Sequence, residues 1–131
     1  MQDQCKARIY LIRHGETEWN LEGRWQGWQG SILTETGKVQ AQSLARQLAT
    51  LDFVSCYASS SIRAVETAGI ILQHKALELQ TMDQLREISL GKFEGLKFHE
   101  VREQYAEAHH YFCEQPSLYV PVGEGETFWQ L

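Results

Sequence analysis

A chain of 131 residues, 43% hydrophobic and 22% charged, is long enough to bury the core of one domain and too apolar to be disordered. Its 12 Lys and Arg against 17 Asp and Glu give a formal net charge of −5, without a dense basic run. That balance argues against nucleic acid or an anionic membrane surface as partner. The three cysteines, Cys5, Cys56 and Cys113, are widely spaced and form no CxxC pair, which suits a reducing compartment and supplies neither a zinc site nor a disulfide framework. Met1 to Lys6 carries no apolar signal core, and no run approaches transmembrane length, so the expected location is cytoplasmic.

In chain order, residues 7–12 form an apolar run that predicts a buried first strand, ending at the polar turn Arg13-His14-Gly15. Residues 21–33 are a loop broken by Gly23, Gly27 and Gly30, in which Trp25 and Trp28 are too large to be left in water. Thr34 caps a helix to about Ala49, with Ala41, Leu44, Ala45 and Leu48 on one stripe. A second strand over 53–58 leads through Ser59-Ser60-Ser61 into a helix from Ile62 to about Gln73, striped by Ile62, Val65, Gly69 and Leu72. A third strand spans 77–82. This alternation predicts an α/β fold with a mainly parallel sheet and helices on both faces. Residues 85–95 are irregular, and 97–113 read as a helix with Phe98, Val101, Tyr105, Ala108 and Phe112 on its apolar face. Pro116 and Pro121 punctuate the exit.

Ligands in open α/β sheets bind beyond the carboxyl ends of strands, which is where Arg13 and His14 fall. Arg13 offers a planar, permanently charged fork for phosphate or carboxylate, and His14 an imidazole able to act as base or nucleophile. A parallel sheet brings the second strand-to-helix junction to the same edge, so Arg63 in the first helical turn can reach the same anion. The loop amides near Gln26 and Gly27 could form one wall of that anion site. His109 and His110, adjacent on a helix, point apart and make a poor chelating pair; His74 and His99 have no metal-spaced partner.

Arg13-His14-Gly15-Glu16-Thr17, followed by Trp19-Asn20, resembles the signature of the histidine phosphatase superfamily, which includes the phosphoglycerate mutases and the alpha-ribazole phosphatases. Arg63-Ala64-x-x-Thr67-Ala68 resembles the family's second arginine motif, although Ser60 stands where the family often has an acidic residue. Leu85-Arg86-Glu87 and Gly91-Lys92-Phe93-Glu94-Gly95 resemble the segment that carries the family's acid. The resemblance implies a three-layer αβα fold in one domain over residues 1–131 and a phosphatase acting on a small phosphorylated metabolite. It makes His14 the nucleophile that becomes a phosphohistidine, Arg13 and Arg63 the groups that bind and stabilise the phosphoryl oxygens, and Glu87 the proton donor. Thr17, Asn20, Gln26 and Gly27 would hold the phosphate or its loop. No cofactor or metal is implied, because the arginines supply the positive charge.

Gly123-Glu124-Gly125-Glu126-Thr127 resembles the family segment that precedes a further strand ending in a second pocket histidine. No histidine after His14 is followed by glycine here, so the domain reads as incomplete at its C-terminus. Losing one such donor costs on the order of 3–4 kcal/mol of transition-state stabilisation, several hundredfold in rate. Without that strand, Ile9 and Leu11 should be exposed beside an open sheet edge that offers self-association. The short segment after Glu87 favours the alpha-ribazole phosphatase branch over a phosphoglycerate mutase. The competing reading is a non-catalytic phosphate-binding or regulatory module.

Overall fold

The computed structural model describes residues 7–131; Cys5 and the rest of the N-terminal segment read above lie outside the described residues. Two strands, β1 (Cys56–Ser59) and β2 (Leu79–Met82), pair in parallel with Cys56 opposite Leu79 and Ser59 opposite Met82. Parallel neighbours need a crossover, and α3 (Ile62–Leu72) supplies it, packing against both strands. Helix α2 (Glu35–Gln47) packs on α3, so this half of the chain is a small mixed α/β unit.

Local chemistry explains the boundaries. Thr34 caps α2 as its sequence suggests, its hydroxyl accepting the Gly37 N–H at 3.0 Å. A short α1 (Glu18–Glu22) is closed by a capping box between Thr17 and Asn20. Ser61 stands at the N-cap of α3 without a side-chain cap bond, since its hydroxyl lies 2.9 Å from that of Ser59 instead. The buried face of α3 is Arg63, Thr67, Ile71 and Leu72 rather than the stripe through Ile62 and Gly69. The apolar period alone could not reveal that a cation and a hydroxyl face inward.

The second half builds its own core. Ile88, Leu90, Phe93, Val101 and Tyr119 are buried together, ringed by Trp25, Phe112 and Phe128. Trp25 meets Phe112 edge-on at 5.3 Å, and Phe112 meets Tyr119 edge-on at 5.1 Å, the T-shaped geometry favoured by aromatic quadrupoles. The helix expected over 97–113 is interrupted at Tyr105, giving α4 (Phe98–Gln104) and α5 (Ala106–Glu114). Tyr105 leaves helical geometry with φ −133° and ψ 42°, and its ring lies 5.8 Å from Phe93. Of the expected apolar face, Val101 is fully buried and Tyr105, Ala108 and Phe112 pack against the core, whereas Phe98 is 45% exposed and meets Trp25 edge-on at the margin.

The first expected strand does not form. Residues 7–12 carry no ladder, and their backbone bonds to no other described residue. A strand exists only when a neighbour satisfies its N–H and C=O groups, and no described segment does so. Ile9 and Leu11 are accordingly 80% and 94% exposed, as the sequence led us to expect. Val54, in the stretch expected to extend the second strand, is 99% exposed. No helix among the described residues is long and apolar enough to cross a membrane.

Candidate active site

Two polypeptide junctions meet at one hydroxyl. The backbone N–H of Gly15 donates to Thr67 Oγ1 at 3.0 Å, and that hydroxyl donates to the Arg63 carbonyl at 2.7 Å. The turn carrying His14 is thereby fastened to the helix carrying Arg63 through Gly15 and Thr67, which are 52 residues apart in sequence. The close approach needs glycine: a Cβ on Gly15 would stand 2.5 Å from the Gly37 carbonyl oxygen at the start of α2.

His14 is half-buried, and its Nδ1 lies 2.8 Å from the Gly15 carbonyl oxygen. A carbonyl only accepts, so Nδ1 carries the hydrogen and Nε2 keeps its lone pair when the ring is neutral. Burial lowers the His14 pKa most, the Gly15 carbonyl opposes this, and the charges of Arg63 and Arg13 lower it further; Glu87 acts in the opposite sense. Two guanidiniums and one carboxylate therefore all act on this imidazole by charge. A pocket of about 380 Å³ opens beside it, lined by Arg13, His14, Glu16, Asn20 and Gln40.

Arg63 is buried, 5% exposed, with its Nη2 donating to the Gly27 carbonyl at 3.2 Å and its Nη1 to the Gln29 carbonyl at 3.5 Å. Burial pulls its pKa below the ordinary arginine value, and the Glu87 and Glu94 carboxylates oppose that fall. The side chain fits because Gly30 leaves space for it; a Cβ there would sit 2.7 Å from Nη1. The Gly-rich loop thus meets Arg63 through its carbonyls. Two of its amides, those of Trp28 and Gln29, donate to the Glu94 carboxylate at 3.0 and 2.8 Å. Glu94 also accepts from the Leu90 N–H at 2.9 Å, so it is a staple of the loop.

Thr17 is fully buried, and its hydroxyl is shared between the Asn20 and Gln26 amide oxygens at 3.0 and 2.9 Å. Asn20 Oδ1 also accepts the Thr17 N–H at 3.1 Å while Asn20 itself lines the pocket. Arg13 is exposed at the pocket edge, and its side chain makes no ion pair with another described residue. Glu87 is exposed, with Oε1 accepting the N–H of Ile88 at 3.0 Å. Trp28, expected to be withdrawn from water, is half-exposed beneath the Arg86 guanidinium, 5.1 Å from the ring centre.

The histidine phosphatase superfamily (branch 1) profile matches residues 9–131. The chain belongs to this superfamily. It is 38% identical over 110 residues to phosphoserine phosphatase 1 of Hydrogenobacter thermophilus, covering 84% of this chain and 52% of that protein. The structure of Bacillus stearothermophilus YhfR superposes with a TM-score of 0.84 and 42% identity, covering 89% of this chain and 57% of that one. The alpha-ribazole phosphatase of Shigella flexneri gives 0.83 and 30%, covering 91% of this chain and 58% of that one. Relatives within the superfamily include phosphoglycerate mutases as well as phosphatases. The chain spans just over half the length of these relatives. The likeness bears out the α/β, phosphoglycerate mutase-like fold.

Several residues that build this site have no role in the sequence reading. Thr67 was visible only as a letter of the second arginine motif, and Glu94 only as an unassigned carboxylate. Glu16 was visible only as a letter of the first motif, while Glu66, which accepts the Leu33 N–H at 2.9 Å, and the pocket residue Gln40 gave no spacing signal.

Proposed function

We propose that this chain carries the nucleophile, the charge-stabilising arginines and the proton donor of a phosphatase that hydrolyses a small phosphate monoester through a phosphohistidine on His14. The observation that carries this reading is the state of His14: its Nδ1–H is tied to the Gly15 carbonyl and its pKa is lowered by burial and two arginines. Such an imidazole is neutral near pH 7 and holds a free Nε2 lone pair.

Arg13 and Arg63 receive the phosphoryl oxygens, where charge-assisted bonds are strongest. Nε2 attacks phosphorus, the ester P–O bond breaks, and the leaving alkoxide takes the Glu87 proton. A water then attacks the phosphorus and gives its proton to Glu87 as the P–N bond breaks, its electron pair returning to Nε2 and phosphate leaving. Asn20 meets the ligand at the pocket wall, while Thr17, Gln26 and Gly27 hold the loop and Arg63 in place. Only residues 88–97, with a 3-10 turn over Gly91–Phe93, separate Glu87 from α4, and so short a connection supports hydrolysis over mutase chemistry. The free thiols of Cys56 and Cys113 support a reducing, cytoplasmic setting.

A second reading, phosphate binding without turnover, is favoured by the exposure of Arg13 at the His14 pocket and by the place of Glu87 in a separate recess with Trp28 and Arg86. Hydrolysis of an aryl phosphate by the 131-residue chain beside its His14→Ala variant separates the two. Activity lost in the variant supports the enzyme, and equal, negligible rates with retained phosphate binding support the module.

A further inference from the structure

Glu87 is exposed, so burial does not fix its carboxylate. Its backbone is fixed from both sides instead. On one side Ile88 is sealed in the core at 2% exposure. On the other, Arg86 makes three contacts with separate parts of the chain. Its Nε donates to Ser60 Oγ at 2.7 Å, its Nη2 pairs with Asp83 Oδ1 at 2.7 Å, and its guanidinium lies 5.1 Å from the centre of the Trp28 ring. Ser60 closes the set by donating to the same Asp83 oxygen at 2.5 Å.

Trp28, Asp83, Arg86 and Glu87 line a second recess of about 220 Å³, separate from the pocket beside His14, although the Glu87 charge is felt at the His14 imidazole. Ser60 lies at the β1–α3 junction just before Arg63, and Trp28 belongs to the loop held by Arg63 and Glu94. An exposed Arg–Asp pair contributes little stability on its own. Three directional contacts at one guanidinium nevertheless fix geometry, and proton transfer is sensitive to displacements of about 1 Å.

We infer that Arg86 is a positioning residue, a latch that joins the Glu87 backbone to the Ser60 junction and the Trp28 loop and so aims the Glu87 carboxyl at the leaving oxygen above His14. This inference rests on the reading of Glu87 as proton donor. Arg86 is already committed to Ser60 and Asp83, so it acts on proton donation rather than on phosphate affinity.

The test compares two esters in the full chain. An aryl phosphate with an acidic leaving group needs little protonation, whereas glycerol phosphate needs it fully. Arg86→Ala lowers kcat on glycerol phosphate at least tenfold more than on the aryl ester, with inhibition by inorganic phosphate unchanged; Ser60→Ala does the same to a smaller extent. Equal losses on both esters, or none, overturn the latch. A second measurement does not need turnover. The Glu87 carboxylate raises the His14 pKa, so Glu87→Gln lowers the midpoint of the His14 ring titration in NMR. Arg86→Ala lowers it by at least half as much; an unchanged midpoint overturns the inference. If the parent hydrolyses neither ester, the hydrolase reading falls, and the NMR result alone decides whether the latch exists.

Discussion

The Gly15 amide and the Thr67 hydroxyl, 3.0 Å apart, join the turn that carries His14 to the helix that carries Arg63. The bond is buried, and it fixes the relative position of the imidazole and the guanidinium without using either side chain. Thr67→Val keeps the shape of the side chain and leaves the Gly15 N–H unpaired. It should cost about 1–3 kcal/mol of stability by denaturant titration. Phosphate binding should weaken at the same time, and Thr67→Ser should restore both.

The lowered pKa of His14 makes a second prediction. Its folded value lies below the ordinary imidazole value of 6.5, so between the two the unfolded chain binds a proton that the folded chain does not. The contribution to stability is therefore full above pH 6.5 and is lost as pH falls from there through the folded value. An NMR titration of the His14 ring should show a midpoint below 6.5, and Arg63→Ala should raise it, because the Arg63 charge lowers it. A parent midpoint above 6.5 contradicts the account of a neutral nucleophile.

Glu94 holds three backbone amides that belong to two segments, those of Trp28, Gln29 and Leu90. Glu94→Ala removes the acceptor from all three. Bonds to a charged group are worth about 1.5–3 kcal/mol, and the two loop amides are exposed enough to recover water, so a loss of about 2 kcal/mol is expected. Release of the loop should also shift Trp28 fluorescence to the red. A variant as stable as the parent, with an unshifted spectrum, removes the staple role.

The face around residues 7–12 responds differently. Leu11 and Val54 are almost fully exposed, so replacing each by a polar residue should change stability by no more than about 0.5 kcal/mol. An unpaired apolar edge invites pairing between copies. Sedimentation of the parent should show concentration-dependent association that Leu11→Lys with Val54→Lys abolishes. A parent monomeric at all concentrations contradicts this.

Most of the local structure was legible in the sequence, because it depends on local chemistry. Thr34 caps α2, the strand-helix-strand order gives the parallel β1–β2 pair, and Val101, Tyr105, Ala108 and Phe112 face the core from α4 and α5. What stayed hidden depends on distant partners. The apolar run before Arg13 reads as a strand, yet a ladder needs a neighbour that no residue inside the run can announce. The inward face of α3 was misread because Arg63 and Thr67 count as polar in any periodicity, although Gly30 and the Gly27 carbonyl give the guanidinium a buried seat. The couplings of Gly15 to Thr67 and of Arg86 to Trp28 bridge long stretches of sequence and become visible only once the chain is folded.

The most direct test of the account is a trap for the covalent intermediate. The chain is mixed with an aryl phosphate, quenched in alkali, where phosphohistidine survives, and digested for mass spectrometry. The account predicts one phosphoryl group on the peptide containing His14, absent from His14→Ala and accumulating in Glu87→Gln with a glycerol-type ester only slowly. Phosphate release with no adduct on that peptide, or an adduct that persists in His14→Ala, would contradict it.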